Sequence, residues 1–370
     1  MLAYIIRRLA LIVPTLLGVM VINFAVVQLA PGGPIEQIAA QLKGEAVDAT
    51  ARIGGTAGGD MSGQQLAERQ AGDQTTGRYR GAQGLPPEFI KELERQFGFD
   101  KPLHERFLLM MGNYLQLDFG RSYFRDRGVL QLVLEKLPVS VSLGLWTMLI
   151  TYLVCIPLGI AKAVRDGSKF DVRTSFAITI GYAVPSFLFA ILLIVLFAGG
   201  RFVAWFPLRG LTSDNFAMLP WYGQVLDYLW HITLPVLAMV IGNFAALTML
   251  TKNSFIEEIG KQYVITARAK GLTLNQVLYG HIFRNAMIIV IAGIPEALVG
   301  VLFTGALLIE VIFSLDGLGL LGFEAVVNRD YPVIFATLFI FTLIGLVLNL
   351  VSDLMKVVVD PRIDFEARKV

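Results

Sequence analysis

The densest group of side chains able to do chemistry lies at 254–286, SFIEEIGKQYVITARAKGLTLNQVLYGHIFRNA. Arg268, Lys270 and Arg284 are cations at any physiological pH, and His281 adds an imidazole. Such groups donate charge-assisted hydrogen bonds to carboxylates, phosphates or backbone carbonyls. That is the chemistry of being held, not of breaking bonds. The rest of the chain offers no catalytic set. No GxxxxGK[ST] loop is present to cradle a nucleotide, and no HExxH spacing to hold a metal. His104, His231 and His281 are far apart, and no serine or cysteine nucleophile has an adjacent base. Cys155 is the only cysteine, inside an apolar run, which rules out an intrachain disulfide and a cysteine metal site. The expectation is a chain with no catalytic and no metal-ligating residues.

One further carboxylate stands out. Glu296 follows Pro295 within IAGIPEALVG, in the middle of a long apolar run. Proline loosens a helix, and a charge inside a membrane faces a bundle interior or a water-filled cavity. Two readings stay open. Glu296 and Pro295 line a pathway or gate, or Glu296 is a buried carboxylate paired across helices or protonated.

The elements that position these groups follow from composition. The chain is 55% hydrophobic and 16% charged, with a mean hydropathy of +0.64. Its apolar residues fall in blocks of about twenty, the length that crosses a ~30 Å hydrocarbon core. This is the pattern of an all-α polytopic membrane protein. Six spans are expected, at 9–30, 138–164, 174–199, 232–250, 285–309 and 331–359. Pro157 and Pro185 mark kinks in spans two and three. The basic residues Arg7 and Arg8 precede the first run, which is too long for a signal-peptide core and has no cleavage site after it. Asn349 and Asp353, near Lys356 at the end of the last run, suit interfacial hydrogen bonding.

Residues 31–137 form a long polar segment. The part at 44–84 is glycine-rich with one aromatic, Tyr79, and cannot bury enough apolar surface to offset its chain entropy. The part at 86–137 reads as a helical cap. Phe89, Ile90, Leu93 and Phe97 share one helical face, Pro102 opens a second helix, and 129–137 forms a short third one.

Charge sets the orientation. Arg7, Arg8, Lys162, Arg165, Lys169, Arg173, the bases of 252–284 and those of the tail fall on one side. The two short loops of the other side hold only Arg201, Arg209 and Arg329. The positive-inside rule puts both termini in the cytosol. Trp205, Trp221, Tyr222, Tyr228 and Trp230 then flank the outer ends of spans three and four as an aromatic belt.

Within the polar island, SFIE at 254–257 and TLNQ at 273–276 both fit a capping box, with Gly271 between them as a left-handed stop. The reading is helix, glycine turn, helix. A basic loop that merely obeys the positive-inside rule and touches anionic lipid would need no such structure.

These residues carry a resemblance. TARAKG (266–271), nine residues, then HIFRNA (281–286) resembles the EAA loop of binding-protein-dependent ABC importer permeases, in its peptide-permease version. The blocks RRLALIVPTLLGVMVINF, FGFDKPLHERF, LQLDFGRS, LIEVIFSLDGLG (308–319), RDYPV (329–333) and DPRI (360–363) are similar to the first permease subunit of dipeptide and oligopeptide importers. The glycine-rich insertion resembles the Yej-type branch, whose importers take peptides and microcins. The chain departs from the general EAA pattern at Thr266-Ala-Arg268 and at Arg284, both usual in the peptide branch.

The resemblance implies a type I ABC importer permease fold with a helical periplasmic insertion, in a bacterial inner membrane. It implies these parts: 1–30, tail and first span; 31–137, periplasmic; 138–250, spans two to four; 251–285, cytosolic coupling loop; 286–359, spans five and six; 360–370, cytosolic tail. Tyr263, Ala267, Arg268, Ala269, Lys270, Gly271, His281, Arg284 and Asn285 would couple to the ATPase. Ala267, Ala269 and Gly271 would allow close approach. The implied partners are a second homologous permease, ABC ATPases (two subunits or one fused), a periplasmic substrate-binding protein, a peptide substrate and the bilayer, with no nucleic acid. No cofactor belongs to this chain; ATP and Mg would be bound by the ATPases. Nickel and glutathione importers have similar permeases. A secondary transporter with Glu296 as proton site, or a membrane scaffold, are the readings from other classes. No inverted repeat with paired broken helices supports the former.

Overall fold

The computed structural model describes residues 2–29, 33–42, 88, 91, 95, 99–200, 202–295, 297–298 and 307–359. In chain order the helices are α1 (Leu2–Leu29), α2 (Pro34–Leu42), α3 (Leu103–Leu115), α4 (Val129–Val164), α5 (Lys169–Ala183), α6 (Ser186–Phe197), α7 (Trp221–Ile259), α8 (Gln262–Ala269), α9 (Leu274–Val277), α10 (Phe283–Ala292), α11 (Leu307–Ile312), α12 (Leu318–Asn328) and α13 (Tyr331–Val359). Among the described residues the only extended pairing is one bridge between Arg121 and Gly128. Helices dominate because an apolar solvent leaves backbone groups no partner outside their own segment.

Four helices, α1, α4, α7 and α13, are long and apolar enough to cross a bilayer, and α5 with α6 makes a fifth if that pair is one span. The pair bends by 94°. The cause is Pro185, which forces the preceding Val184 out of the helical region (ψ 118°) and restarts the helix at Ser186. Pro138 and Pro157, in contrast, lie inside α4, whose helical run is continuous. The expected short helix at 129–137 is therefore the first part of α4, not a separate element. The expected fourth span is likewise the middle of the 39-residue α7. The fifth is described only as α10, residues 293–295 and 297–298, and α11. The glycine-rich segment and the apolar face of 86–97 lie outside the described residues; Glu88, Lys91 and Arg95 are helical and exposed.

Compact packing divides the chain into two units. The first comprises Met1–Leu11, Leu137–Gly319 and Leu343–Val370. One of its cores joins Leu143, Leu193, Ile232, Val236, Ile309 and Phe313. A second joins the end of α4 and the end of α7 to α8, α9 and α10 through Ile160, Phe255, Val264, Val277, Ile282 and Ala286. Helices α4 and α7 touch at Gly159, where a Cβ would stand 2.6 Å from Thr251 Cβ and 2.9 Å from the Thr248 carbonyl oxygen. Only glycine fits there. Nearby, the fully buried Lys162 ammonium lies 2.9 Å from Asp171 Oδ1 and donates to Thr174 and Ser175. Lys252 of α7 reaches the same carboxylate at 2.7 Å and Asp166 at 2.7 Å. The turn between α4 and α5 is thus fastened to α7. Asp353 accepts from Tyr4 Oη (2.7 Å) and pairs with Arg8 (2.8 Å) and Lys356. The interfacial role read for Asp353 holds, and the beginning of α1 lies beside the end of α13.

The second unit comprises Ile12–Lys136 and Leu320–Thr342. Helix α3 begins at Pro102, as its sequence indicates. It packs by aromatic edges: Phe107 on Phe24 at 5.3 Å and Tyr114 on Phe339 at 5.3 Å, with Phe24 on Phe335 at 5.6 Å. Asp330 precedes α13 and accepts from Ser122 Oγ and from the Tyr123 amide. The blocks LQLDFGRS and RDYPV therefore meet through one carboxylate. Burial pushes the Asp330 carboxyl above the usual range, against the opposing pull of those donors.

Candidate functional site

The polar island folds as a short rigid elbow. Helix α8 starts after Lys261 and stops at Lys270. Gly271 has φ +85°. Its N–H donates to the Arg268 carbonyl (2.9 Å), and the Leu272 N–H reaches the Ala267 carbonyl (3.4 Å). This is a Schellman cap, in which glycine at the left-handed position lets the chain return to the last free carbonyls. Thr273 then opens α9 with a complete capping box: its Oγ1 accepts from the Gln276 amide and the Gln276 side chain accepts from the Thr273 amide. One turn later the helix widens into a π-turn over Leu278–Ile282 and runs on into α10. Stop, single spacer and start thus follow from GLT in sequence.

The other expected capping box is not formed. Ser254 lies inside α7, and its Oγ donates to the Ala286 carbonyl at 2.6 Å. Helix α7 continues to Ile259 because Phe255, fully buried, anchors it in the core below the elbow. Packing overrides the local capping signal, and Ser254 serves as a tie between α7 and α10.

The elbow has two faces. Val264, Ala267, Val277, Leu278 and Ile282 point into the core. Arg268, Ala269, Lys270, Gly271, His281 and Arg284 are exposed, and among the described residues the four charged or imidazole groups form no ion pair. Between them stand exposed apolar side chains, Ile265 (56%), Leu274 (46%) and Tyr279 (62%). Apolar side chains beside uncommitted cations, on a stiff frame, make a surface suited to a protein partner.

Tyr263 and Asn285 behave differently from the other expected coupling residues. The Tyr263 hydroxyl donates to Glu258 Oε2 at 2.7 Å, and Asn285 stands beside both groups. Burial, and then donation to Glu258, push the Tyr263 phenol up. Ala267 is turned inward as well, so the close approach it allows is to its own chain.

Within the first unit a cavity of about 870 Å³ is lined by Ser140, Thr147, Thr151, Asn243, Gly293 and Glu310 among others. Glu310 is 1% exposed. Ser140 Oγ donates to it at 3.1 Å and accepts from the Leu318 amide at 2.8 Å. Gly317 lies so close that a Cβ there would meet the Glu310 carboxyl carbon at 2.5 Å. The block LIEVIFSLDGLG thus folds around its own glutamate. Glu296 lies outside the described residues, and Pro295 is helical and buried.

Residues 155–365 match the family described as "Binding-protein-dependent transport system inner membrane component". The chain belongs to this family. It is 62% identical over 368 residues to the "Peptidoglycan transport system permease protein YejB" of Agrobacterium fabrum, covering all of both chains. It is 58% identical over 366 residues to the "Inner membrane ABC transporter permease protein YejB" of Escherichia coli O157:H7, covering 99% of this chain and 100% of that one. It is 31% identical over 366 residues to the "Oligopeptide transport system permease protein AppB" of Bacillus subtilis, with 99% and 100% covered. The resemblance read from the motifs is borne out. The chain is a multi-pass transport component and not an enzyme.

For this permease, sequence reasoning found the elbow, its glycine and its outward cations. It missed Glu258, Ile265, Leu274, Tyr279 and Glu310. Ile265 and Tyr279 could have been flagged as apolar residues off the buried helical face. Glu258 gave no such signal.

Proposed function

We propose that this chain is one permease subunit of an ATP-driven importer that moves short peptides, or peptide-bearing cell-wall fragments, from the periplasm to the cytosol. The substrate class follows the names of the peptidoglycan and oligopeptide permeases to which it is similar. It spans the membrane six times with both termini in the cytosol; the Arg8–Asp353 pair, which joins the two ends of the chain, supports an even count. The helical part of 31–137 lies in the periplasm.

The observation that carries the reading is the elbow: a Schellman cap and a capping box back to back, a buried inner face, and an outer face of cations and apolar side chains. That outer face docks on an ABC ATPase, one of a pair or one half of a fused chain. Arg268, Lys270, His281 and Arg284 meet acidic or carbonyl groups of its groove, while Tyr263, Ala267, Ala269, Gly271 and Asn285 keep the elbow in shape. ATP and Mg are held by the ATPases. Their closure moves the elbow as a rigid body, and the elbow moves α7 and α10, to which it is directly joined. A second homologous permease and a periplasmic substrate-binding protein complete the complex. The cavity bordered by Gly293 and Ala297 belongs to the path, and Pro295 and Glu296 serve as pathway or gate residues.

The test is purification of the membrane complex followed by uptake of a labelled tripeptide into proteoliposomes. The reading expects ATPase subunits and a second permease to co-purify and uptake to require ATP. An isolated chain, or uptake that runs on an ion gradient without ATP, would refute it.

A further inference from the structure

Glu258 sits where three helices meet, and none of the motifs includes it. Its side chain is 12% exposed, at the last turn of α7. It takes hydrogen bonds from Lys261 at the start of α8 and from Tyr263 one turn on, and Asn285 in the first turn of α10 lies beside it. The adjacent Glu257 is 76% exposed and only reaches Lys261 at 3.5 Å. Two glutamates side by side are thus sorted by the helix into one knot and one solvated charge. A second tie, Ser254 Oγ to the Ala286 carbonyl, joins the same pair of helices one turn earlier.

A handle transmits motion only if it cannot pivot on what it drives. Below α8 the chain has a single turn at Gly260 and Lys261, and backbone bonds alone leave a hinge there. A largely buried carboxylate that holds two donors from the start of α8, with Asn285 of α10 beside it, stiffens that hinge, because rotating α8 breaks a charge-assisted bond. We infer that Glu258 is the positioning residue that fixes the elbow rigidly to α7 and α10, so that ATPase motion reaches the spans instead of bending the turn. This rests on the elbow's role under the proposed function. It concerns how the motion is passed on and not what docks.

The experiment uses the whole complex in proteoliposomes and does not depend on knowing the substrate. Asn243, exposed and lining the cavity, is replaced by cysteine, and its labelling by a maleimide is timed with and without ATP. Amide exchange over 262–285 is measured on the same samples. In E258A the ATP-dependent change in labelling falls by about tenfold while hydrolysis continues, and elbow exchange rises about tenfold, as the loss of a bond to a charged group predicts. Y263F, which deletes only a hydroxyl, shows the same effects more weakly, and the double variant is no worse than E258A. Glu257→Ala leaves both readouts as in the wild type. Should E258A fail to assemble, Y263F decides alone. An unchanged labelling response in Y263F, or Y263F and E258A effects that simply add, overturns the inference. The charge-reversed R268E/K270E complex separates the two claims: uncoupled R268E/K270E with normal E258A sinks only the role of Glu258, whereas normal coupling in both sinks the docking role of the elbow itself.

Discussion

Replacing Gly271 tests the elbow at its narrowest point. The residue has φ +85°, and a Cβ built on it would meet nothing within 4 Å. Any effect of a side chain there is therefore a backbone effect, free of steric collision. An L-residue in the left-handed region costs about 1–2 kcal/mol. Alanine recovers about 0.4–1 kcal/mol of that by restricting the unfolded chain. The net loss for Gly271→Ala is then about 1 kcal/mol, or roughly a fivefold shift between the formed and frayed cap. Asparagine, which tolerates this region, should lose less; valine, stiff at χ1, should lose more. Proline is of another order. It demands φ near −65° and removes the N–H that donates to Arg268, so the cap cannot form at all. The assay is substrate moved per ATP hydrolysed in reconstituted complex, with thermal unfolding as a control on the spans. The expected order is Gly, Asn, Ala, Val, then Pro with coupling abolished. Alanine as damaging as proline would mean that Cβ space and not backbone geometry matters there. Proline as good as glycine would mean that the elbow is not a mechanical part.

Three further outcomes are expected. Lys162→Met should lower the unfolding temperature of the solubilised permease by several degrees, because its buried acceptors lose their donor. A fully broken buried pair costs about 3–5 kcal/mol, and Lys252 on Asp171 keeps the loss below that; an unchanged melt would show the network to be idle. Asp330→Asn should change the pH profile of stability. The folded pKa of Asp330 is raised, so its contribution is present at low pH and is lost as pH rises through the folded value. The wild type should gain on the variant as pH falls from 7 towards about 4, and parallel profiles would contradict the burial cause. Arg8→Cys with Asp353→Cys should cross-link within one chain through a bismaleimide spacer about as long as the arginine side chain it replaces, since Arg8 now spans that gap; no cross-link would separate the termini.

The helical class and the site of the elbow were legible because both depend on sequence-local quantities: the length of an apolar run, the place of a glycine, a hydroxyl three residues before an amide. Features set by distant contacts were not. Ser254 has a correct capping pattern, yet the burial of Phe255 carries α7 past it and the hydroxyl finds Ala286 instead. The bend at Pro185 was foreseen, while its size of 94° was not. Pro138 and Pro157 have the same local signal and leave α4 unbroken. Glu310 was visible only as one letter of a block; its burial comes from Ser140 on α4 and from the fold-back at Gly317.

The division of labour within ARAKG follows from how a helix ends. Inside α8 the period of 3.6 sends Val264 and Ala267 to the core and Ile265 outward. Arg268 and Ala269 end the helix on its outer side, Lys270 caps it, and the left-handed turn at Gly271 leads the chain away, so that all four stand in solvent. Arg268, in the last turn, and Lys270, at the cap, are then both exposed, with no further turn of helix packed over them. A glycine stop is thus more than a terminator here: it converts a helical stripe into a compact basic edge. Moving that glycine one residue earlier should therefore preserve charge and composition, yet shift the stop and carry the lysine beyond it. A variant with Lys270→Gly and Gly271→Lys tests this. It should lose ATPase co-purification while keeping every residue type of the elbow, and full retention of the partner would show that net charge, not the edge built by the turn, is what the partner reads.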